Sequence, residues 1–179
     1  MQIPDTLYYG QASTPFGEGL IGWTGQGIVM LHLLHLHLLQ PGDPEAHALL
    51  AQRYPHLSLR RADSQASELM EQAFTQPHSS ELKLALQGSP FQIKVWQGLR
   101  EIPFGQVRTY GELAQAVGHP GASRAVGSAL AANQIAFVVP CHRVIRATGE
   151  SGQYRWGAER KTRMLEWEAH QLARSNADR

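Results

Sequence analysis

Thr109-Tyr110-Gly111-Glu112-Leu113-Ala114-Gln115-Ala116-Val117-Gly118-His119-Pro120-Gly121-Ala122-Ser123-Arg124-Ala125-Val126-Gly127-Ser128-Ala129-Leu130-Ala131-Ala132 contains two helix starts and one tight turn. Thr109 and Glu112 form a capping box, each side chain satisfying an orphan backbone amide of the other, and open a helix that runs to Val117. Gly118-His119-Pro120-Gly121 reads as the turn. Ser123 reads as the cap of a second helix from Arg124 to Ala132. Two short helices joined by a Gly/Pro turn carry the signature of a helix-turn-helix pair.

Upstream of this pair, Ser89 caps and Pro90 starts a helix with Phe91, Val95 and Leu99 on one face, ending before Pro103. Downstream, Ile135-Ala136-Phe137-Val138-Val139 reads as a buried strand. Ala158, Thr162, Leu165, Ala169 and Leu172 mark the apolar face of a closing helix. The first half has a different character. Thr6–Ala12, Gly19–Thr24 and Gly27–Leu33 read as strands separated by Gly-rich turns, and Glu81–Leu86 as a returning strand. Asp43 and Pro44 start a helix to about Arg53, and Ser64–Phe74 is a second helical stretch. Gln87-Gly88-Ser89-Pro90 marks the boundary. The expected fold is α/β, with an N-terminal domain over 1–87 and a mainly helical domain over 88–179.

The 179 residues suffice for one domain or two small ones with a real core. At 42% hydrophobic and 17% charged residues, the chain has neither a disordered nor a collagen-like composition. The longest apolar stretch, Ile28–Leu39, is interrupted by His32, His35 and His37 and is too short to span a bilayer. No basic segment leads into an apolar run at the N-terminus, so a soluble, cytoplasmic protein is expected. His35 and His37 share a strand face but lack a spaced partner, so no metal is expected there. The net charge of +1 hides a split. Residues 1–87 hold four Lys or Arg against eight Asp or Glu, a net −4, and residues 88–179 hold twelve against seven, a net +5. A polyanion partner would meet the second half.

After Arg124 the second helix of the pair has almost no side chain that reaches base edges, unlike a major-groove reader. Its small residues suit close backbone approach, to a neighbouring helix or to a narrow minor groove. The single cysteine, Cys141, excludes an internal disulfide and multi-cysteine zinc motifs. Such a residue is by default an inert core side chain. Pro140, which stops the preceding run, and the polar neighbours His142 and Arg143 argue instead for a reactive thiol, because a base or a nearby positive charge promotes the thiolate.

Pro140-Cys141-His142-Arg143-Val144 closely resembles the acceptor motif of the O6-alkylguanine-DNA alkyltransferases, the methylated-DNA–protein-cysteine methyltransferases. The resemblance runs from Gly88 to about Glu168. It includes Phe91–Val95-Trp96, Ile102-Pro103-Phe104-Gly105, Thr109-Tyr110, Leu113-Ala114, Arg124-Ala125-Val126-Gly127, Asn133 and Tyr154-Arg155-Trp156-Gly157. It implies an N-terminal RNase H-like domain, matched only loosely, and a winged-helix-like C-terminal domain. Cys141 would accept the alkyl group, with His142 as its base through a water and Glu168 orienting the imidazole. Asn133 would brace the turn before the active-site segment. Tyr110 would press a phosphate to rotate the target nucleotide and later protonate the leaving guanine, and Arg124 would fill the gap left by the flipped base. Thr109, Ala125, Gly127 and Ser128 complete the DNA-facing set, while Leu130, Pro140, Val144, Tyr154, Arg155 and Trp156 would line the pocket.

The implied activity is stoichiometric, self-inactivating repair of O6-alkylguanine, and of O4-alkylthymine, in double-stranded DNA bound through the minor groove. A monomer without cofactor is implied, cytoplasmic and nucleoid-associated in a bacterium or nuclear in a eukaryote. An indole at Trp156 inside the pocket would admit methyl and exclude benzyl, so Trp156→Gly would restore the benzyl reaction. Two rivals are weaker. A cysteine hydrolase needs its base to face the thiol, whereas adjacent strand residues point to opposite faces unless a turn intervenes. A lesion sensor that only binds has no need of a thiol.

Overall fold

The computed structural model describes residues 6–34 and 44–179, so Asp43, His35 and His37 lie outside the described residues. The chain divides into two compact units, Met1–Gln87 and Gly88–Arg179.

In the first unit, β1 (Thr6–Thr14), β2 (Gly17–Thr24) and β3 (Gly27–Leu33) form an antiparallel meander. A short strand, β4 (Ser58–Arg61), pairs parallel to β1 and gives the order β3-β2-β1-β4. The helix α1 (Pro44–Arg53) supplies Ala46 and Leu50 to a core shared with Leu7, Tyr9 and Leu20. On the opposite face of β1, Gly10 lets α2 (Asp63–Thr75) approach so closely that a Cβ there would lie 2.6 Å from that of Ala66. Side-chain alternation along β1 thus serves both helices. Glu81–Leu86 does not form the expected strand. Only Leu84 bridges to Ile28, in parallel, held by bonds from Ile28 N to Lys83 O and from Ala85 N to Ile28 O.

The second unit is built on α3 (Pro90–Arg100), α4 (Tyr110–Ala116), α5 (Ser123–Ala131) and α6 (Ala158–Ala177). Ser89 with Gln92, and Thr109 with Glu112, form complete capping boxes. Gly118 and Gly121 take φ of 81° and 84° in the turn between α4 and α5, a conformation that favours glycine. Ser123 is not the cap of α5. The helix starts one residue earlier than expected, after Ala122, with no side-chain cap. Val126, Ala129 and Leu130 are the buried face of α5, and Trp96 of α3 donates its indole N–H to Ala129 O at 2.8 Å. Arg124, Ala125 and Ser128 lie on the exposed face.

Two further expectations in this unit fail. Ile135–Val139 is fully buried but forms no strand; it folds back on itself, with Val139 N bonded to Ile135 O, and Phe137 adopts φ +66°. Val138 N and Val139 N bond back to Ala136 O and Ile135 O, and the Asn133 side chain satisfies Ile135 N and Val139 O. In α6 the buried stripe is Lys161, Met164 and Glu168, while Ala158, Thr162, Ala169 and Leu172 are exposed. Two residue pairs of parallel ladder, β5 (Arg108–Thr109) with β6 (Val144–Ile145), fasten the start of α4 to the segment after Cys141.

Candidate active site

Cys141, His142 and Arg143 form a single turn of 3₁₀ helix, and all three are buried. At three residues per turn, neighbouring side chains are not forced to opposite faces as they would be in a strand. The geometric objection to His142 serving Cys141 therefore falls. Asn133, at the end of α5, shares its amide N–H groups among Ile135 O at 3.2 Å, Val139 O at 3.1 Å and Cys141 Sγ at 3.2 Å. Its own Oδ1 accepts from Ile135 N at 2.9 Å. One side chain thus shapes the loop and touches the sulfur.

Burial pushes the Cys141 thiol up to about 11, opposed by the Asn133 hydrogen bond and the Lys161 charge. Beside it, His142 Nε2 lies 2.7 Å from Glu168 Oε1. Burial lowers the imidazole from its ordinary value, against the pull of Glu168. A neutral ring therefore donates Nε2–H to the carboxylate, and Nδ1 is left as the acceptor. That Nδ1 is buried and has no hydrogen-bond partner.

Glu168 is held from a second side by Arg143, whose Nη2 donates to Oε1 at 2.8 Å and whose Nε donates to Oε2 at 3.0 Å. Arg143 Nη1 donates to Ile102 O at 2.8 Å, and Gly105 N donates to Glu168 Oε2 at 3.3 Å, tying in the connection between α3 and α4. Burial alone would raise the Glu168 carboxyl, but the bonds from His142 and Arg143 hold it down to about 2. Sequence reasoning treated Arg143 only as a nearby positive charge. It missed Lys161, which is fully buried and donates to Val144 O at 2.6 Å and Gln153 O at 3.3 Å. Burial lowers Lys161 to about 8. Its signal was available: Lys161, Met164 and Glu168 recur at helical spacing.

Cys141 opens onto a cavity of about 810 Å³. Tyr110, Ser123, Arg124, Gly127 and Ser128 line it from the helix pair, with Leu130, Arg146, Tyr154 and Arg155 around them. Pro140, Val144 and Trp156 are buried and do not line it. Trp156 instead packs edge-on to the Tyr154 ring, at 5.4 Å between centroids, with the Arg155 guanidinium over its face. Arg155 also donates to Asn133 O at 3.0 Å, and Tyr154 donates its hydroxyl to Met164 Sδ at 3.4 Å. Burial raises the Tyr110 hydroxyl from its ordinary value. Thr109 is occupied as the cap of α4.

A helix-turn-helix pair bordering a cavity, with a buried thiol in its wall and an imidazole–carboxylate pair beside it, has the form of a nucleic-acid-binding domain built around a cysteine. Residues 90–170 match the family described as 6-O-methylguanine DNA methyltransferase, DNA binding domain. The methylated-DNA–protein-cysteine methyltransferase of Mycobacterium leprae is 52% identical over 94 residues, which are 52% of this chain and 57% of that protein. The bifunctional transcriptional activator/DNA repair enzyme Ada of Escherichia coli is 36% identical over 167 residues, 90% of this chain and 45% of that one. The crystal structure of Mycobacterium tuberculosis OGT in complex with DNA superposes with a TM-score of 0.70 at 33% identity, covering 91% of this chain and 93% of that one. The chain belongs to the methylated-DNA–protein-cysteine methyltransferase family. It spans about half the length of the curated relatives it matches.

Proposed function

We propose that this chain repairs O6-alkylguanine, and O4-alkylthymine, in double-stranded DNA by moving the alkyl group to its own Cys141, once per molecule. It is then a methylated-DNA–protein-cysteine S-methyltransferase that needs no cofactor. The observation that carries this reading is the position of Cys141 in the wall of the cavity, touched by Asn133 and backed by the His142–Glu168–Arg143 chain.

An alkylated base stacked in a duplex is reached only by extrusion. The exposed small residues Ala125 and Ser128, with Gly127, allow α5 to enter a minor groove. Arg124 takes the vacated place in the stack, and Tyr110 bears on the adjoining phosphate. With the base in the cavity, the Sγ–H bond breaks and its proton passes through a water to His142 Nδ1. The thiolate attacks the alkyl carbon, the C–O6 bond breaks, and its electron pair returns to the guanine, which takes a proton from Tyr110. The product is a thioether that water does not cleave, so the protein is consumed. In this reading the first unit is RNase H-like, the second winged-helix-like, and the protein a monomer of the cytoplasm.

Intact mass spectrometry after incubation with an O6-methylguanine duplex tests the reading. One methyl group on the Cys141 peptide, at one equivalent per chain, is the expected result. Continued turnover without an adduct would identify a cysteine hydrolase instead, a reading that the 3₁₀ turn makes geometrically open.

A further inference from the structure

Phe137 is the only non-glycine residue with positive φ among the described residues, at +66°. A bulky side chain adopts this backbone at a cost, and such strain persists only where the surroundings impose it. The loop reverses at this point, with Val138 N bonded to Ala136 O at 2.7 Å. The reversal brings the Phe137 ring parallel to the His142 imidazole, 4° between planes and 5.5 Å between centroids. Trp167 meets the same ring edge-on at 5.9 Å and Phe104 meets Trp167 likewise, so the stack is walled in.

We propose that Phe137 is a positioning residue for alkyl transfer: its ring face holds the His142 imidazole with Nδ1 open to the Cys141 proton and favours the imidazolium that results. This rests on Cys141 as the acceptor and His142 as its base. The need for such a partner follows from the charges around the ring. Glu168 and Lys161 act on it from α6 and Arg143 from its own turn, which also carries Cys141, and from the loop the neutral Phe137 ring stacks on it. Glu168 is already shared with Arg143, and the Arg143 and Lys161 cations both oppose a further positive charge. The negative face of an aromatic ring attracts that charge from a side of the imidazole other than the Nε2 edge that Glu168 holds.

The test uses the full chain and the second-order rate of alkylation by an O6-methylguanine duplex, measured against pH. Pentafluorophenylalanine at position 137 nearly keeps the shape of the ring and reverses its face charge. The expected result is a plateau rate about 3- to 30-fold lower, the range of a desolvated cation–aromatic contact. The acid limb, where His142 takes a proton and ceases to be a base, should move to lower pH by about 0.5–1.5. Phe137→Leu should fall between this variant and wild type. DNA affinity and one-equivalent stoichiometry should be unchanged. A slower rate with an unmoved acid limb would mean that the ring only packs, and a wild-type profile in the fluorinated protein would overturn the proposal outright. If Phe137→Leu does not fold, the fluorinated chain decides alone. Titration of the His142 ring by NMR reads the same contact without substrate: a lowered midpoint in the fluorinated chain is expected, and an unchanged one refutes the proposal. Absence of any adduct on wild-type Cys141 would instead defeat the acceptor reading, so the two failures are distinguishable.

Discussion

Burial keeps Cys141 a thiol at neutral pH, yet the form that attacks an alkyl carbon is the thiolate. In the proposed reaction the residues around it resolve this by supplying a proton acceptor rather than a permanently low thiol pKa: Asn133 touches the sulfur, Glu168 holds the Nε2 edge of His142, and Nδ1 has no partner. Cys141 and His142 were read as a pair because a reactive thiol needs a base nearby, and the structure places both in one buried turn. The role of Arg143 was not, because adjacency in sequence does not reveal that its guanidinium is bonded to Glu168 and Ile102 O. The steric exclusion of benzyl expected from Trp156 lacks its premise, since the indole packs against Tyr154 and the cavity wall is Tyr154 itself. Cys141→Ala should abolish transfer and leave duplex affinity within about twofold, because binding rests on phosphate contacts and α5. Affinity is to be compared at fixed salt. A comparable loss of affinity would make Cys141 chiefly structural.

Elements defined by local chemistry matched the sequence closely. The Ser89 cap with Pro90, the Thr109–Glu112 capping box and the glycine turn set α3, α4 and the turn before α5 almost to the residue. Elements judged by apolarity alone did not. Ile135–Val139 is as apolar as a strand, but tight backbone turns and a side-chain amide together can satisfy a buried segment as a ladder would, and periodicity cannot tell the two apart. In α6 the rule inverts: two charged residues are buried and several apolar ones are exposed, because Glu168 and Lys161 find partners inside that water would otherwise provide. The exposed face of α5 carries the element's own prediction. Arg124→Ala should slow transfer from duplex DNA by about tenfold to a hundredfold, the scale of a few kcal/mol of unstacking. Alkylation by free O6-methylguanine should barely change, because the free base needs no extrusion. Equal slowing of both reactions would remove Arg124 from that role.

At the scale of the whole molecule, the boundary at Gln87 and Gly88 separates an acidic unit from a basic one, and Cys141, His142, Arg143 and Glu168 all lie in the second. The first unit's meander was legible from its glycine turns, whereas β4, four residues with polar side chains, offered no pattern to read. The second unit's buried charges also couple its folding to pH. Glu168 sits at about 2 in the folded protein against an ordinary 4.5, so its contribution is complete above about pH 4.5 and is lost as pH falls toward 2. At 1.36 kcal/mol per pH unit this amounts to about 3 kcal/mol. His142 acts in the same sense from a higher starting point: its folded value is lowered from 6.5, so the unfolded chain takes up a proton first and stability begins to fall below about pH 6.5. Glu168→Gln should therefore cost about 3 kcal/mol at pH 7, where it strands the Arg143 charge, and progressively less in acid as the wild-type carboxyl protonates. Urea unfolding from pH 7 to pH 3, monitored by tryptophan fluorescence, should give two stability curves that converge toward low pH. Parallel curves would show that Glu168 is not held ionised by Arg143 and His142 in the folded protein.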